Sequence, residues 1–217
     1  MQLQKTRSLG LQASVQIREA LLRGEYQPGQ ALAETSLAES LAMSRTPIRQ
    51  ALQELARDGF VEFIPHRGYF VPRLSLDDIR ELFELRESLE GYATRCAALR
   101  ITKTETERLE ELYQLYERAE AVEDWVELGT EFHNMIISLS ANARMVAILD
   151  SLKAQISMTR HTVLRNVDER RNGALQEHRA ILDAIKQRDA DNAELQARVH
   201  VRRSYEAMLQ GSYLEQR

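Results

Sequence analysis

All four prolines of this 217-residue chain, Pro28, Pro47, Pro65 and Pro72, lie in its first third, and only four of its nine glycines follow them. Proline removes a backbone donor and clashes inside a helix, so the chain after Pro72 is free to run as uninterrupted helix. Apolar residues there recur at three- and four-residue spacing, and no alternating strand pattern survives. The spacing predicts helices over 77–100, 104–120, 124–140, 143–165, 172–188 and 191–210, packed as an all-α antiparallel helix bundle.

The front third carries the turns. A first helix is expected over Gly10 to Arg23, with Leu11, Val15, Ala20, Leu21 and Leu22 as its apolar face, and Pro28-Gly29 as a turn after it. Ser36 and Glu39 have capping-box spacing and are expected to open a second helix. Ala42-Met43 then makes the turn into a third helix starting at Ser44, whose hydroxyl can cap it, with Leu52 and Leu55 facing inward. Two β-rich runs, Phe60 to Ile64 and Tyr69 to Pro72, flank Pro65-His66-Arg67-Gly68 as a hairpin. Helix, turn, helix and hairpin make a winged helix-turn-helix. The expected fold class is thus mainly α: a winged helix-turn-helix domain over 1–73, a linker near 72–78, and an all-α effector-binding and dimerisation domain over 77–217.

The third helix opens with Ser44, Arg45, Thr46 and Arg49. Arg45 and Arg49 are four apart and project from one face within two turns. Guanidinium groups suit both phosphate clamping and bidentate guanine reading, so this helix is built to enter a major groove of double-stranded DNA. The wing tip, His66, Arg67 and Gly68, offers a cation and a glycine to a minor groove or backbone. Residues 1–73 hold nine Lys or Arg against seven Asp or Glu, a balance of +2, and the remainder holds 20 against 26, a balance of −6. A mildly basic front joined to an acidic back fits a nucleic-acid module attached to something else. So small a front charge points to a homodimer that brings two copies to the duplex.

The chain is 43% hydrophobic and 29% charged, ordinary for a core-forming protein. No apolar run approaches the roughly 20 residues needed to span a bilayer. The N-terminus lacks the apolar centre of a secretory signal, and Cys96 is the single cysteine. A cytoplasmic location without membrane attachment is expected.

Three histidines of the second half form a pattern. His178 and His200 each lie eleven residues from Asp189, the centre of the polar Gln187–Asp191 break, so in a helical hairpin both sit at one height. His178 shares a face with Ile181, Leu182 and Ile185, which aims it at the bundle core. His133 follows Phe132 on a third amphipathic helix. Converging, the three imidazoles would suit zinc or another divalent transition metal such as nickel; singly, each would be a hydrogen-bonded core residue. Arg86, within an apolar-periodic helix, is either an ion-paired surface residue or a guanidinium reaching inward to hold a carboxylate ligand, and Arg160 is a second candidate for that role.

The segment LAESLAMSRTPIRQALQELARDGFVEFIPHRGYFV resembles the GntR-type winged helix. LRESLEG (85–91), FHNMI (132–136), AN (141–142), EHRAILDAI (177–185) and the Ala193 to His200 segment resemble the FCD ligand-binding domain of the FadR subfamily. The resemblance covers about residues 9–210. It implies a dimeric transcription regulator, acting as a repressor, that reads inverted-repeat operators and binds a small organic-acid effector in the bundle. It also implies base and phosphate contacts at Arg45, Thr46 and Arg49, wing contacts at His66, Arg67 and Gly68, metal ligation by His133, His178 and His200, and an effector contact at Arg86. The chain departs from the pattern at Gly129, where many metal-binding relatives carry aspartate in a D-x-x-F-H arrangement, and at Thr35, where some carry arginine. Glu131 cannot substitute, because two residues along a helix turn it about 200° from the face of His133. The site then holds either a metal weakened to three imidazoles and an open position, or no metal and three hydrogen-bonding groups for the effector.

Three imidazoles and an open position also describe catalytic zinc, so a zinc-dependent hydrolase is the alternative function. It would need a general base or oxyanion donor beside the site, and Gly129 stands where the best-placed carboxylate would be. A constitutive architectural DNA-binding protein would leave inward-facing polar groups in the bundle unexplained. An effector-responsive regulator, not an enzyme, accounts for both halves.

Overall fold

The computed structural model describes residues 9–163 and 167–214, with side chains over 9–157 and 170–210. The chain divides into two compact units, residues 1–78 with 151–161, and residues 79–150 with 162–217.

The first unit is a three-helix cluster edged by a small sheet: α1 (Leu9–Leu22), β1 (Ala31–Leu32), α2 (Glu34–Ser40), α3 (Arg45–Arg57), β2 (Glu62–Ile64) and β3 (Gly68–Phe70). Ile17 of α1, Leu37 of α2, and Ile48, Leu52 and Leu55 of α3 are almost fully buried together. The inward face of α1 is Ala13, Ile17, Ala20 and Leu21, while Leu11, expected inside, is exposed. The strands are antiparallel in the order β1-β3-β2, with Leu32 opposite Tyr69 and Ile64 opposite Gly68. β1 was not expected: two residues are too few for any alternation to register. Its pairing delivers the chain directly into α2, which starts at Glu34 with Ala33 as N-cap. Ser36 therefore lies inside the helix, and the capping box expected at Ser36 and Glu39 does not form. A full box closes instead around Thr102 and Glu105, at the start of α5. Ser44 does occupy the N-cap position of α3, but its hydroxyl makes no capping bond.

The second unit is an all-α antiparallel bundle built from α4 (Leu76–Arg100), α5 (Lys103–Arg118), α6 (Val122–Leu139), α7 (Ala143–Val163), α8 (Val167–Lys186) and α9 (Ala190–Leu214), part of α7 lying in the first unit. Tyr113 and Tyr116 of α5, Phe132 and Ile136 of α6, and Ile181, Leu182 and Ile185 of α8 make the core, closed by Ala193 and Ala197 of α9. The α8–α9 hairpin turns where the polar break lies. Arg188 takes a left-handed conformation (φ 56°) and donates to the carbonyls of Leu99 and Ile101, and the Asp189 side chain accepts from the Asn192 amide. Helix α8 begins five residues earlier than expected because Val167–Arg171 is polar and carries no apolar spacing. Among the described residues no helix is long and apolar enough to cross a membrane.

Candidate functional site

Chemistry-bearing residues gather in two places, one in each unit. In the first, α3 presents its N-terminal turn outward. Ser44, Arg45, Thr46 and Arg49 are all exposed, while Pro47 and Ile48 between them are buried and anchor the helix. Both arginines turn to one carboxylate. Arg49 forks onto Glu34, Nε to Oε1 and Nη2 to Oε2, each at 2.9 Å, and Arg45 Nη2 donates to Oε2 at 3.3 Å. These hydrogen bonds, Arg49's foremost, hold the Glu34 carboxyl below its ordinary range. At the wing, Pro65, His66 and Arg67 span the hairpin, with Arg67 N donating to Ile64 O at 3.0 Å. His66 and Gly68 both have positive φ (61° and 96°), a region that suits glycine and strains histidine. Arg67 lies over the Phe70 ring at 5.1 Å, and the His66 and Arg67 side chains are exposed.

In the second unit, His133 of α6, His178 of α8 and His200 of α9 come together, each offering a ring nitrogen within 4.8 Å of the others'. His178 Nε2 and His133 Nε2 are 3.0 Å apart, within hydrogen-bond reach, with donor and acceptor set by their tautomers. Two carboxylates stand behind the rings. Glu177 Oε2 lies 2.7 Å from His200 Nδ1, and Glu90 Oε2 lies 3.6 Å from His133 Nδ1. Each carboxylate is itself held by an arginine. Arg170 forks onto Glu177 at 3.0 and 2.8 Å and adds a bond to Ser204 Oγ, and Arg86 Nε donates to Glu90 Oε1 at 2.7 Å.

The electrostatics follow from this packing. Burial would raise the Glu177 carboxyl, but hydrogen bonds from His200 and Arg170 outweigh it and bring the group to about 2. Burial pushes the His200 imidazole down, the Glu177 contact only partly opposing it. An ionised carboxylate accepts, so His200 donates through Nδ1 and keeps its Nε2 lone pair free to bind. A carboxylate behind a histidine is the usual arrangement for fixing the tautomer of a metal ligand.

The structure thus assembles His133, His178 and His200 as the sequence anticipated. Arg86 is buried, not at the surface, and its guanidinium holds Glu90, four residues on in the same helix. The Arg160 side chain lies outside the described residues. Glu131 is exposed and takes no part. At Gly129 the departure has a physical cause: a Cβ there would meet Tyr116 Cε2 at 3.0 Å. The Tyr116 ring is stacked on Trp125, with ring centroids 5.6 Å apart, so a side chain at position 129 requires this packed ring to give by a few tenths of an ångström. Sequence reasoning missed Glu34, Glu90, Glu177 and Arg170. The i,i+4 spacing of Arg86 and Glu90 was a usable signal, as was Glu177 directly preceding His178. Nothing local marks Glu34 as a partner of residues eleven and fifteen positions away.

Comparison with known proteins agrees with both regions. Residues 9–71 match the model of the bacterial regulatory proteins of the gntR family, and residues 81–203 match the FCD domain. The uncharacterized HTH-type transcriptional regulator YdhC of Bacillus subtilis is 28% identical over 88% of this chain and 86% of its own length. The HTH-type transcriptional repressor RspR of Escherichia coli is 26% identical over 96% of this chain and 92% of its own. Among solved structures, E. coli McbR/YncC superposes with a TM-score of 0.79 at 23% identity, covering 94% of this chain and 98% of that one, which is a likeness of fold.

Proposed function

Because this chain belongs to the gntR family of bacterial regulatory proteins, with an FCD domain behind its winged helix, we propose that it is a cytoplasmic, homodimeric repressor controlled by a small carboxylate bound in the bundle. That it is a DNA-binding transcription regulator follows from the family, which is one of regulators, and the hydrolase reading is set aside with it. Residues 1–73 form the DNA-binding domain in this account, and 77–217 the effector-binding and dimerisation domain. Arg45, Thr46, Arg49 and Ser44 meet bases and phosphates of an inverted-repeat operator, and His66, Arg67 and Gly68 meet the flanking backbone.

The observation that carries the bundle's role is the carboxylate-backed histidine cluster. Imidazoles of which one, His200, has Nδ1 tied to Glu177 and another, His133, stands beside Glu90 have the donor chemistry of a zinc or nickel site, so the residues fit a divalent metal held by His133, His178 and His200. Bound there, the metal would supply a buried positive charge on which an effector carboxylate can be received. Among the described residues no fourth ligand joins the three histidines, and a Cβ at Gly129 would already press on Tyr116, so metal affinity is modest in this account. Arg86 borders the same site through Glu90, which supports it as the candidate contact for the effector's acid group; Arg160 is kept as a second candidate.

A dimer is supported by α4, where Leu85, Tyr92 and Leu99 are exposed large apolar residues at seven-residue intervals, a seam suited to a second helix. Two joined chains would present two recognition helices at the spacing of two half-sites. Effector binding then shifts DNA affinity by favouring one arrangement, a coupling typically worth ~1–3 kcal/mol. Thermal-shift screening of carboxylates with and without zinc or nickel tests the reading. A stabilising carboxylate that also changes operator affinity is expected, and carboxylates and metals without effect on wild type and on His178→Asn alike would contradict it.

A further inference from the structure

We propose that Glu34 is a positioning residue for base reading, a buttress that fixes the Arg49 guanidinium and sets how sharply the regulator distinguishes its operator from other DNA. The inference rests on the assignment of Arg45 and Arg49 to DNA contact. The two arginines are exposed, but Glu34 between them is mostly buried, with 19% of its side chain accessible. Its backbone is fixed by the sheet: β1 pairs Leu32 with Tyr69 and leads without a loop into α2, whose first residue is Glu34. The carboxylate is therefore presented by a rigid frame, and both of its oxygens are committed to α3.

The choice of atoms matters. A guanidinium has five N–H groups in a planar fork. Arg49 spends Nε and one hydrogen of Nη2 on Glu34, along one edge. The end-on edge, formed by Nη1 and the second Nη2 hydrogen, stays available, and two parallel donors of that kind match guanine O6 and N7. An exposed arginine side chain without such a brace must lose its rotamer freedom on binding. Here that ordering is built in before DNA arrives.

Glu34 has a second effect through charge. One carboxylate against two guanidinium groups lowers the net positive charge at the helix tip, and so lowers attraction to phosphate on any sequence. Both effects act in one direction. The buttress strengthens specific reading and weakens indiscriminate binding.

The test uses the full-length chain. Selection from a randomised duplex pool with wild type yields its preferred site. Wild type, E34Q, E34D and R49K are then titrated onto that site and onto a scrambled duplex by fluorescence anisotropy at two salt concentrations. E34Q should reduce the ratio of preferred to scrambled affinity by about tenfold, the scale of one bidentate base contact. It should bind scrambled duplex as well as or better than wild type, and selection with E34Q should lose preference at the base pair Arg49 reads. E34D keeps the charge but is one methylene short of the fork, so it should lose discrimination with scrambled binding unchanged; it also carries the test should E34Q fail to fold. R49K removes the fork from the other side, and adding E34Q to it should cost no further discrimination. An unchanged ratio in both Glu34 variants, or a parallel loss on both duplexes with a lowered melting temperature, would overturn the proposal. A wild type that selects no sequence would instead remove the DNA-contact assignment beneath it.

Discussion

Replacing Glu177 with glutamine probes the network behind the histidines. In the folded protein this carboxyl sits at about 2 against an ordinary 4.5, because His200 and Arg170 more than offset its burial. One unit corresponds to 1.36 kcal/mol, so the charged form contributes ~3 kcal/mol to stability near neutral pH. The folded-state value is depressed, so this contribution is complete above about 4.5 and is lost as pH falls from there toward about 2. Glutamine keeps the shape, but leaves Arg170 and His200 facing a neutral acceptor in a buried site. Trp125, the single tryptophan, packs in the same core and reports unfolding of this unit by fluorescence. Urea titrations from pH 7 down to pH 3 should show Glu177→Gln less stable by ~3 kcal/mol at the neutral end, with the gap narrowing below pH 4.5. A gap that is absent at pH 7, or constant across the range, would refute the assignment of the charge.

Further outcomes follow from individual contacts. The same Glu177→Gln variant should bind zinc about ten- to hundredfold more weakly, as expected when a carboxylate that orients a histidine is lost, checked by competition with a chromogenic chelator. Gly129→Asp should not add a metal ligand; the new side chain meets Tyr116 and should cost ~1–3 kcal/mol, read from thermal melts. Arg49→Ala should weaken operator binding by about 1–3 kcal/mol in a gel-shift titration while leaving far-UV circular dichroism unchanged. Leu52→Ala, at a fully buried position in the first unit, should destabilise that unit by ~2–5 kcal/mol.

What could be seen in the sequence was what a periodic or nearest-neighbour rule can see. The helices after Pro72 followed from spacing, and the eleven-residue symmetry of His178 and His200 about Asp189 survived because an antiparallel hairpin maps sequence distance directly onto height. His133 joined them through the helical face it shares with Ile136. What stayed hidden depended on pairing across distance. β1 is two residues long and exists only because β3 lies beside it. Its pairing moved the start of α2 to Glu34, which undid the capping box expected at Ser36 and placed a carboxylate between Arg45 and Arg49. Likewise, the sequence gives Gly129 as a missing ligand, but only the packed bundle shows that a Cβ there would press on Tyr116. Arg86 was open to two readings, an ion-paired surface residue or an inward guanidinium, and it is buried with Glu90, four residues on, as its ion-pair partner.

In the proposed function, a metal held by His133, His178 and His200 receives the effector and is part of the switch that governs the DNA-reading head. Zinc titrated into the full-length chain, with operator affinity followed at each step, tests it most directly. The account predicts one modest site per chain, abolished in His178→Asn, and an operator affinity that changes about fivefold or more as the site fills. Zinc binding that survives His178→Asn, or operator affinity indifferent to zinc occupancy, would contradict it.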